Sequence, residues 1–436
     1  MMADLALAAY EGLDREAARC FRLLVLHPGP DLSVDAAAAI VGCTPGAAAR
    51  RCAQLVAADL AAAAPARDGM PSRYRVPAEI GEQACAIADT APDCDELRAR
   101  LAQWYLAGAH TADEVLTPWR RRDRIQITGL PADVVRLPSY DAALEWLEAE
   151  KDSLAAVVTD LADQQPLLAW QIADALSPLY LLRGTPVLRR RLEQNALDCA
   201  EQLADPRRTA QALLRYGEAL HEHGEPAQAL ALLRASRDAA TRSHDMWGIA
   251  AATEAMAIAA SSMGAHDEAY YLLTPQRAAF MHLGDLRRAA VTDLHIAAVH
   301  HARGEIDQAI AVLADAETLL HAPDAAPDPY TQAMVDIARG RTLIARGEHE
   351  TARELLVGAL ITMTTLHALA GQAHAMHHLG ELALACGDTA LAQTRLHSAV
   401  RLFTACGNDY QAAVVARLIA ARHPDSGSGP ATRGSA

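Results

Sequence analysis

The chain has 436 residues, 51% hydrophobic and only 4% aromatic, with 39 basic against 54 acidic side chains and a net charge of −15. A chain this apolar is not disordered, and one this acidic is not a generic polyanion binder. Alanine supplies 98 residues and lysine one, Lys151, in the run Glu148-Ala-Glu-Lys151-Asp-Ser. No glycine-rich loop precedes that lysine, so it cannot serve a phosphate cradle. Alanine favours helix above all other residues, and three phenylalanines and ten tyrosines are too few for an ordinary sandwich or barrel. The expected class is all-α. The eight cysteines form no Cys-x-x-Cys pair and sit in apolar helical patterns, as small buried hydrophobes do. The first residues lack a basic n-region, and no charge-free apolar run reaches membrane-spanning length. These features predict a reduced, soluble, cytoplasmic protein.

In chain order, Asp14 to Leu26 reads as an amphipathic helix stopped by Pro28-Gly-Pro30. A second helix starts at Ser33 and stops at Gly42, and Thr44-Pro45 offers an N-cap and an N1 proline for a third, Gly46 to Leu60. Arg67 to Val76 reads as a tight β-hairpin, and Ala78 to Ile87 as a further helix. Three helices and a hairpin in this order predict a winged-helix domain over 1–90, followed by a helical connector over 91–164.

From residue 165 the sequence repeats. Glycines stand at 184, 224, 264, 304, 347 and 387, spaced by 40, 40, 40, 43 and 40 residues. Typical surroundings are Arg303-Gly-Glu-Ile-Asp-Gln-Ala-Ile and His223-Gly-Glu-Pro-Ala-Gln-Ala-Leu. Seven residues before each glycine comes a small residue: Ser177, Gly217, Ala257, Ala297, Gly340 and Gly380. Five after it come Ala229, Ala269, Ala309, Ala352 and Ala392, with Arg189 breaking the series, and nine after it Leu233, Leu273, Leu313, Leu356 and Leu396. Glycine after a helix supplies a left-handed C′ residue, and an acid beside it opens the next helix. Small residues let two antiparallel helices cross closely, with the leucine filling the gap to the neighbouring unit. Helix starts are expected near Asp205, Asp245, Asp285, Pro329, Gly371 and Asn408. Each unit is a helical hairpin that must stack on its neighbours.

This pattern resembles the tetratricopeptide repeat (TPR), with a period of 40 in place of that family's usual 34. The resemblance implies an α-solenoid of about six hairpins over 165–423, closed by a cap helix near 408–422 and followed by a disordered tail, 424–436. Its first unit is degenerate, as terminal repeats are. A second resemblance rests on Arg15-Glu-Ala-Ala-Arg-Cys-Phe-Arg-Leu-Leu-Val-Leu and on Tyr140-Asp-Ala-Ala-Leu-Glu-Trp-Leu-Glu-Ala-Glu-Lys. Both are similar to segments of large bacterial signal-transduction ATPases of the NB-ARC type that regulate antibiotic biosynthesis. In those proteins a winged helix follows the nucleotide-binding domain and leads into a TPR array. No Walker A motif occurs here, so nucleotide switching is not implied, and the chain is expected to be the winged-helix and sensor half.

Several residue sets invite a functional reading. In TPR proteins the first helix of each unit lines the concave surface, at 13, 10, 6 and 3 residues before the glycine. Mapped onto this chain, that gives Gln171, Asp174, Gln211, Glu218, His221, Glu254, His301, Arg341, His374, His377 and Glu381. Polar residues among so many alanines point to a groove for a peptide or protein, without the lysine and asparagine clamp of chaperone-binding TPRs. His374 and His377 share a helix face, and Glu381 adds an oxygen donor, so a metal or small-ligand sensor or enzyme is one alternative. No His-Glu-x-x-His motif accompanies them, and no metal or cofactor is expected. DNA binding through Arg50, Arg51, Arg73 and Arg75 is the other alternative; the third helix otherwise reads Gly46-Ala-Ala-Ala and Cys52-Ala-Gln-Leu, with almost nothing to read bases, so nucleic acid is not the expected partner. The basic run Trp119-Arg-Arg-Arg-Asp-Arg124 could dock an acidic surface. No Gly-x-Ser-x-Gly or tied cysteine–histidine pair suggests catalysis. The expectation is therefore a non-catalytic regulatory protein whose groove binds a peptide or protein, with a separately encoded ATPase or transcription factor as a partner and no membrane association.

Overall fold

A computed structural model describes residues 2–65, 70–89, 91–131, 133–323 and 326–421. The tail over 424–436 and the expected hairpin residues Arg67 to Gly69 lie outside them. The chain forms two compact bodies, one of residues 1–178 with 195–203, the other of 179–194 with the chain from 204 onward. Among the described residues, no helix is long and apolar enough to cross a membrane.

The first body begins with α1 (Met2–Glu11) and α2 (Arg15–Leu26). Asp14 caps α2 by accepting from the backbone N–H groups of Glu16 and Ala17 at 3.0 and 2.7 Å. The buried Ala17, Cys20, Phe21 and Leu24 follow the helical period, which is the amphipathic face read from the sequence. Strand β1 (Leu32–Ser33) leads into α3 (Val34–Val41), which ends at the left-handed Gly42; α4 (Pro45–Ala57) starts on the Thr44 cap and N1 proline. Strands β2 (Ala62–Ala63) and β3 (Arg73–Arg75) complete a small antiparallel sheet in the order β1-β3-β2, with Leu32 opposite Tyr74 and Ala62 opposite Arg75. The expected tight hairpin over 67–76 is thus replaced by two strands with a longer connection between them, and β3 also pairs with β1.

After a 3₁₀ turn (Ala78–Ile80) come α5 (Gly81–Asp89), α6 (Cys94–Leu116), α7 (Tyr140–Leu161) and α8 (Pro166–Ala175). Helix α6 packs on α2 and α3 as well as on α7, so the expected domain and connector share one core. Helix α8 packs on α6 and α7 and belongs to this body, although the repeat spacing assigns it to the array.

The chain then runs through α9 (Ser177–Arg183) and α10 (Pro186–Gln202) into regular hairpins. These pair α11 (Pro206–Glu222) with α12 (Pro226–Arg242), and α13 (Met246–Ser262) with α14 (His266–His282). Next come α15 (Leu286–Ala302) with α16 (Ile306–Leu320), then α17 (Pro329–Arg346) with α18 (His349–Thr365). Helices α19 (Leu369–Ala385) and α20 (Thr389–Ala405) form the last pair, and α21 (Asp409–Ala421) caps it. Of the expected acidic starts, Asp205 and Asp285 accept from backbone N–H groups of the first turns of α11 and α15, whereas Asp245 precedes α13 without a side-chain cap; Asp328, next to the expected Pro329, caps α17. The start expected near Gly371 is Leu369: Gly371 lies buried in the first turn of α19 against Met363, and the turn before that helix is made by His367 in a left-handed conformation.

The repeat glycines close the turns with φ between 77° and 87°. At the crossings, a Cβ on Gly217, Gly340 or Gly380 would lie 2.6–2.7 Å from Leu233, Leu356 or Leu396 sixteen residues later. The leucine therefore seats on the small residue of its own hairpin. It also joins the next unit, as Leu273 does with Ile296 and Val299, and Leu313 with Val335. At the leucine position of the first unit stands Glu193, buried, its carboxylate accepting from Arg215 Nε at 3.0 Å.

Candidate functional site

The groove residues separate into three groups. Gln171 and Asp174 lie on α8, in the first body and not on the array. Asp174 is buried, with Oδ1 2.7 Å from Arg120 Nη2, so it anchors the segment after α6 rather than facing a ligand. Two arginines of the basic run are likewise spent internally, whereas Arg121 and Arg124 are exposed. Arg120 and Arg122 both reach the buried Asp113, at 2.6 and 3.0 Å.

The second group, on α11 and α13, is a network of charges. Glu254 is fully buried, ion-paired to Arg288, and accepts from Thr292 Oγ1 at 2.6 Å. Glu218 is half-buried, and burial raises its carboxyl pKa against the nearby charges of Arg288 and Arg189. Arg189 meets Glu222 at 2.5 Å, and His221 and His295 are both pushed down by burial. Gln211 is half-buried on the same helix as Glu218. The offsets of 13, 10, 6 and 3 missed Arg288, which stands sixteen residues before Gly304. One more turn of the same stripe would have found it.

The third group draws on three successive first helices. His301 ends α15, Arg341 lies on α17, and His374, His377 and Glu381 lie on α19. All are half-buried and within electrostatic reach of one another. Burial, reinforced by neighbouring cations, pushes His301 and His377 down to about 4 and His374 to about 3. Burial opposes ionisation of Glu381, but the hydrogen bond from His378 and the charges around it hold that carboxyl at about 2. His378, which falls outside the groove offsets, places Nδ1 2.7 Å from Glu381 Oε2, and His377 Nε2 is 3.6 Å from Oε1. The His374 ring packs edge-on against Phe403 with centroids 5.0 Å apart. The acid expected to join His374 and His377 as a metal ligand is thus turned to His378. Among the described residues, no three His, Cys, Asp or Glu side chains come together as a metal site.

Of the arginines singled out for DNA, Arg50 and Arg75 are exposed. Arg51 is half-buried and 3.2 Å from Glu16. Arg73 is buried between Asp31 and Glu150, donating to Glu150 Oε2 at 2.9 Å, and is not on offer to a phosphate. Its position on a short central strand turns it into the core.

No protein-family model matches the chain. Among solved structures, a Rap protein complexed with competence and sporulation factor matches with a TM-score of 0.52 at 12% identity, over 78% of this chain and 89% of that one. The array is a tetratricopeptide-repeat solenoid. A signal-transduction ATPase with numerous domains and a tetratricopeptide-repeat sensor, from Pyrococcus horikoshii, matches with a TM-score of 0.41 at 12% identity, over 95% of this chain and 64% of that one. In sequence, the chain is 26% identical over 417 residues to regulatory protein AfsR of Streptomyces griseus. That match covers 94% of this chain and 41% of the relative, so the chain spans about two fifths of that regulator's length.

Proposed function

We propose that this protein is a non-catalytic regulator acting inside a bacterial cell, and that its TPR array captures a peptide or protein on its concave face. The observation that carries the reading is the convergence of His301, Arg341, His374, His377 and Glu381 from three successive units onto one half-buried polar patch. Such a patch, set among alanines, offers directional contacts with little competing apolar surface. The similarity to regulatory protein AfsR supports the regulatory part. The Rap protein complex, a TPR-like fold holding a named factor, supports a ligand of that kind. In the first body, α2, β1, α3, α4, β2 and β3 follow one another as in a winged helix, and we read this part as one. A separately encoded ATPase or transcription factor is the expected partner class. Affinity capture from the native host with the intact chain tests the reading. A protein or peptide should be retained by the wild type and lost on Arg341→Ala; nothing retained by a folded array would refute it.

A further inference from the structure

We propose that Arg341, with His301, His374 and His377 around it, is the anion subsite of the concave face and takes one carboxylate of a bound peptide. The inference deepens the groove reading and rests on it. It starts from the partners of the array's other buried and half-buried arginines. Arg189 has Glu222, Arg215 has Glu193, Arg277 has Asp293 and Arg288 has Glu254. Arg341 alone among these makes no hydrogen bond or ion pair with the described residues, although it is half-buried. The nearest carboxylate, Glu381, is already held by His378 and His377.

A partly desolvated guanidinium without a contact anion is costly, and burial accordingly lowers the Arg341 pKa. A carboxylate arriving there would make the planar, two-pronged contact that a guanidinium favours. His301 Nδ1 is buried without a hydrogen-bond partner, so a second donor or acceptor stands open beside it. The imidazoles are neutral at physiological pH, because burial holds His301, His374 and His377 near 3 to 4. One positive charge beside neutral imidazoles, with the Glu381 carboxylate already tied to His378 and His377, suits a singly charged carboxylate. A doubly charged phosphate or a polyanion would find no second arginine beside Arg341 among the charges acting on these histidines.

The test uses the full chain against an arrayed random peptide library, each peptide with a free or an amidated C-terminus, read by fluorescence anisotropy. Wild type should select peptides with a free C-terminus or an acidic side chain, the two arms telling these sources apart. Arg341→Gln should weaken them about 10- to 100-fold. Arg341→Lys, which keeps the charge without the fork, should restore part of the loss and controls for folding alongside circular dichroism. Peptides bound with no preference for a carboxylate, and equally by Arg341→Gln, would overturn the subsite and leave the groove reading standing. Binding of no peptide would overturn the groove reading instead. The subsite is then read by titrating acetate and inorganic phosphate against the histidine ring NMR signals. Acetate shifts present in wild type and absent in Arg341→Gln support it. Absence of shifts, or preference for phosphate, overturns the carboxylate assignment.

Discussion

The crossing of α17 and α18 allows a sharp test of how the repeats pack. Replacing Gly340 by alanine should gain about 1 kcal/mol from helix propensity, since glycine in a helix interior carries the largest backbone entropy loss. Against this, the new Cβ would sit 2.6 Å from Leu356 Cγ and 2.9 Å from Leu356 Cδ2, well inside contact distance. Leu356 is fully buried, and so is Ala352 beneath it, so the leucine cannot swing into solvent. Over-packing of this kind costs about 1–3 kcal/mol. The difference is a net loss on the order of 1 kcal/mol. Two units carry alanine at this place, Ala257 and Ala297, so the fold tolerates the methyl once the crossing has adjusted.

Leu356→Ala in the wild type leaves a cavity worth about 2–5 kcal/mol. In the Gly340→Ala background the added methyl occupies part of that space, so the same truncation should cost about 1–2 kcal/mol less. Because repeat arrays lose structure section by section, urea midpoints should be paired with hydrogen exchange along α17 and α18. A Gly340→Ala variant that gains the whole propensity increment, with an additive double-mutant cycle, would refute this account of the crossing.

The remaining expectations concern both bodies. Truncating Arg73 to methionine leaves Glu150 and Asp31 without their cation in a buried site and should cost the first body about 3–5 kcal/mol in denaturant unfolding; a loss near zero would show the pair to be dispensable. His27 is buried with Nε2 2.8 Å from Tyr105 Oη, and burial, with the charge of Arg73, lowers its pKa from 6.5 to about 4. Neutral imidazole is therefore the folded form, its contribution complete above pH 6.5 and lost as pH falls through 4. Roughly 3 kcal/mol of acid sensitivity across that window should disappear in His27→Gln, and an unchanged pH profile of the first body's unfolding would contradict it. Gly184 and Gly304 both have positive φ, but only at Gly184 would a Cβ strike another segment, the backbone of Cys406. Each alanine variant should lose about 1–2 kcal/mol for the left-handed backbone, and Gly184→Ala should lose visibly more; equal losses in thermal unfolding would rule out the added contact.

The array was readable in the sequence because its signals are local and repeated. A glycine every forty residues, an alanine five later and a leucine nine later each answer to a contact within one hairpin or between neighbours. The same regularity placed His301, Arg341, His374 and His377 on one face. Where the sequence misled, the deciding partner was distant. Arg73 reads as a wing residue until Glu150, 77 positions on, is found against it. Asp174 fits the groove spacing but answers to Arg120, 54 positions earlier, in a different body from the array. Nothing in a single sequence pairs such residues, whereas burying either charge alone would be prohibitive, so the fold settles them together.

The weak first repeat has a cause of its own. In a terminal repeat that merely decays, departures from the pattern would be scattered. Here Arg189 and Glu193 are paired with the next hairpin, and the residues just before them lie where the array's own ends meet. Arg183 donates to the His367 carbonyl at 3.3 Å, and Gly407 approaches Pro186 closely. A Cβ on Gly224 would come within 2.8 Å of Tyr410. Gly264, Gly304, Gly347 and Gly387 face open space, so their glycine answers to backbone conformation alone. Gly184 and Gly224 answer also to the chain packed against them. Thr185 holds φ at 46°, a strained value for a β-branched residue, directly before Pro186 at this seam. The segment is therefore specified by contacts roughly two hundred residues away as well as by its neighbour α11, where Arg189 and Glu193 meet Glu222 and Arg215. An array whose ends touch has a fixed number of units. Inserting a hairpin would part Gly184 from Cys406 before it disturbed any crossing, which ties the irregular repeat to the number of regular ones.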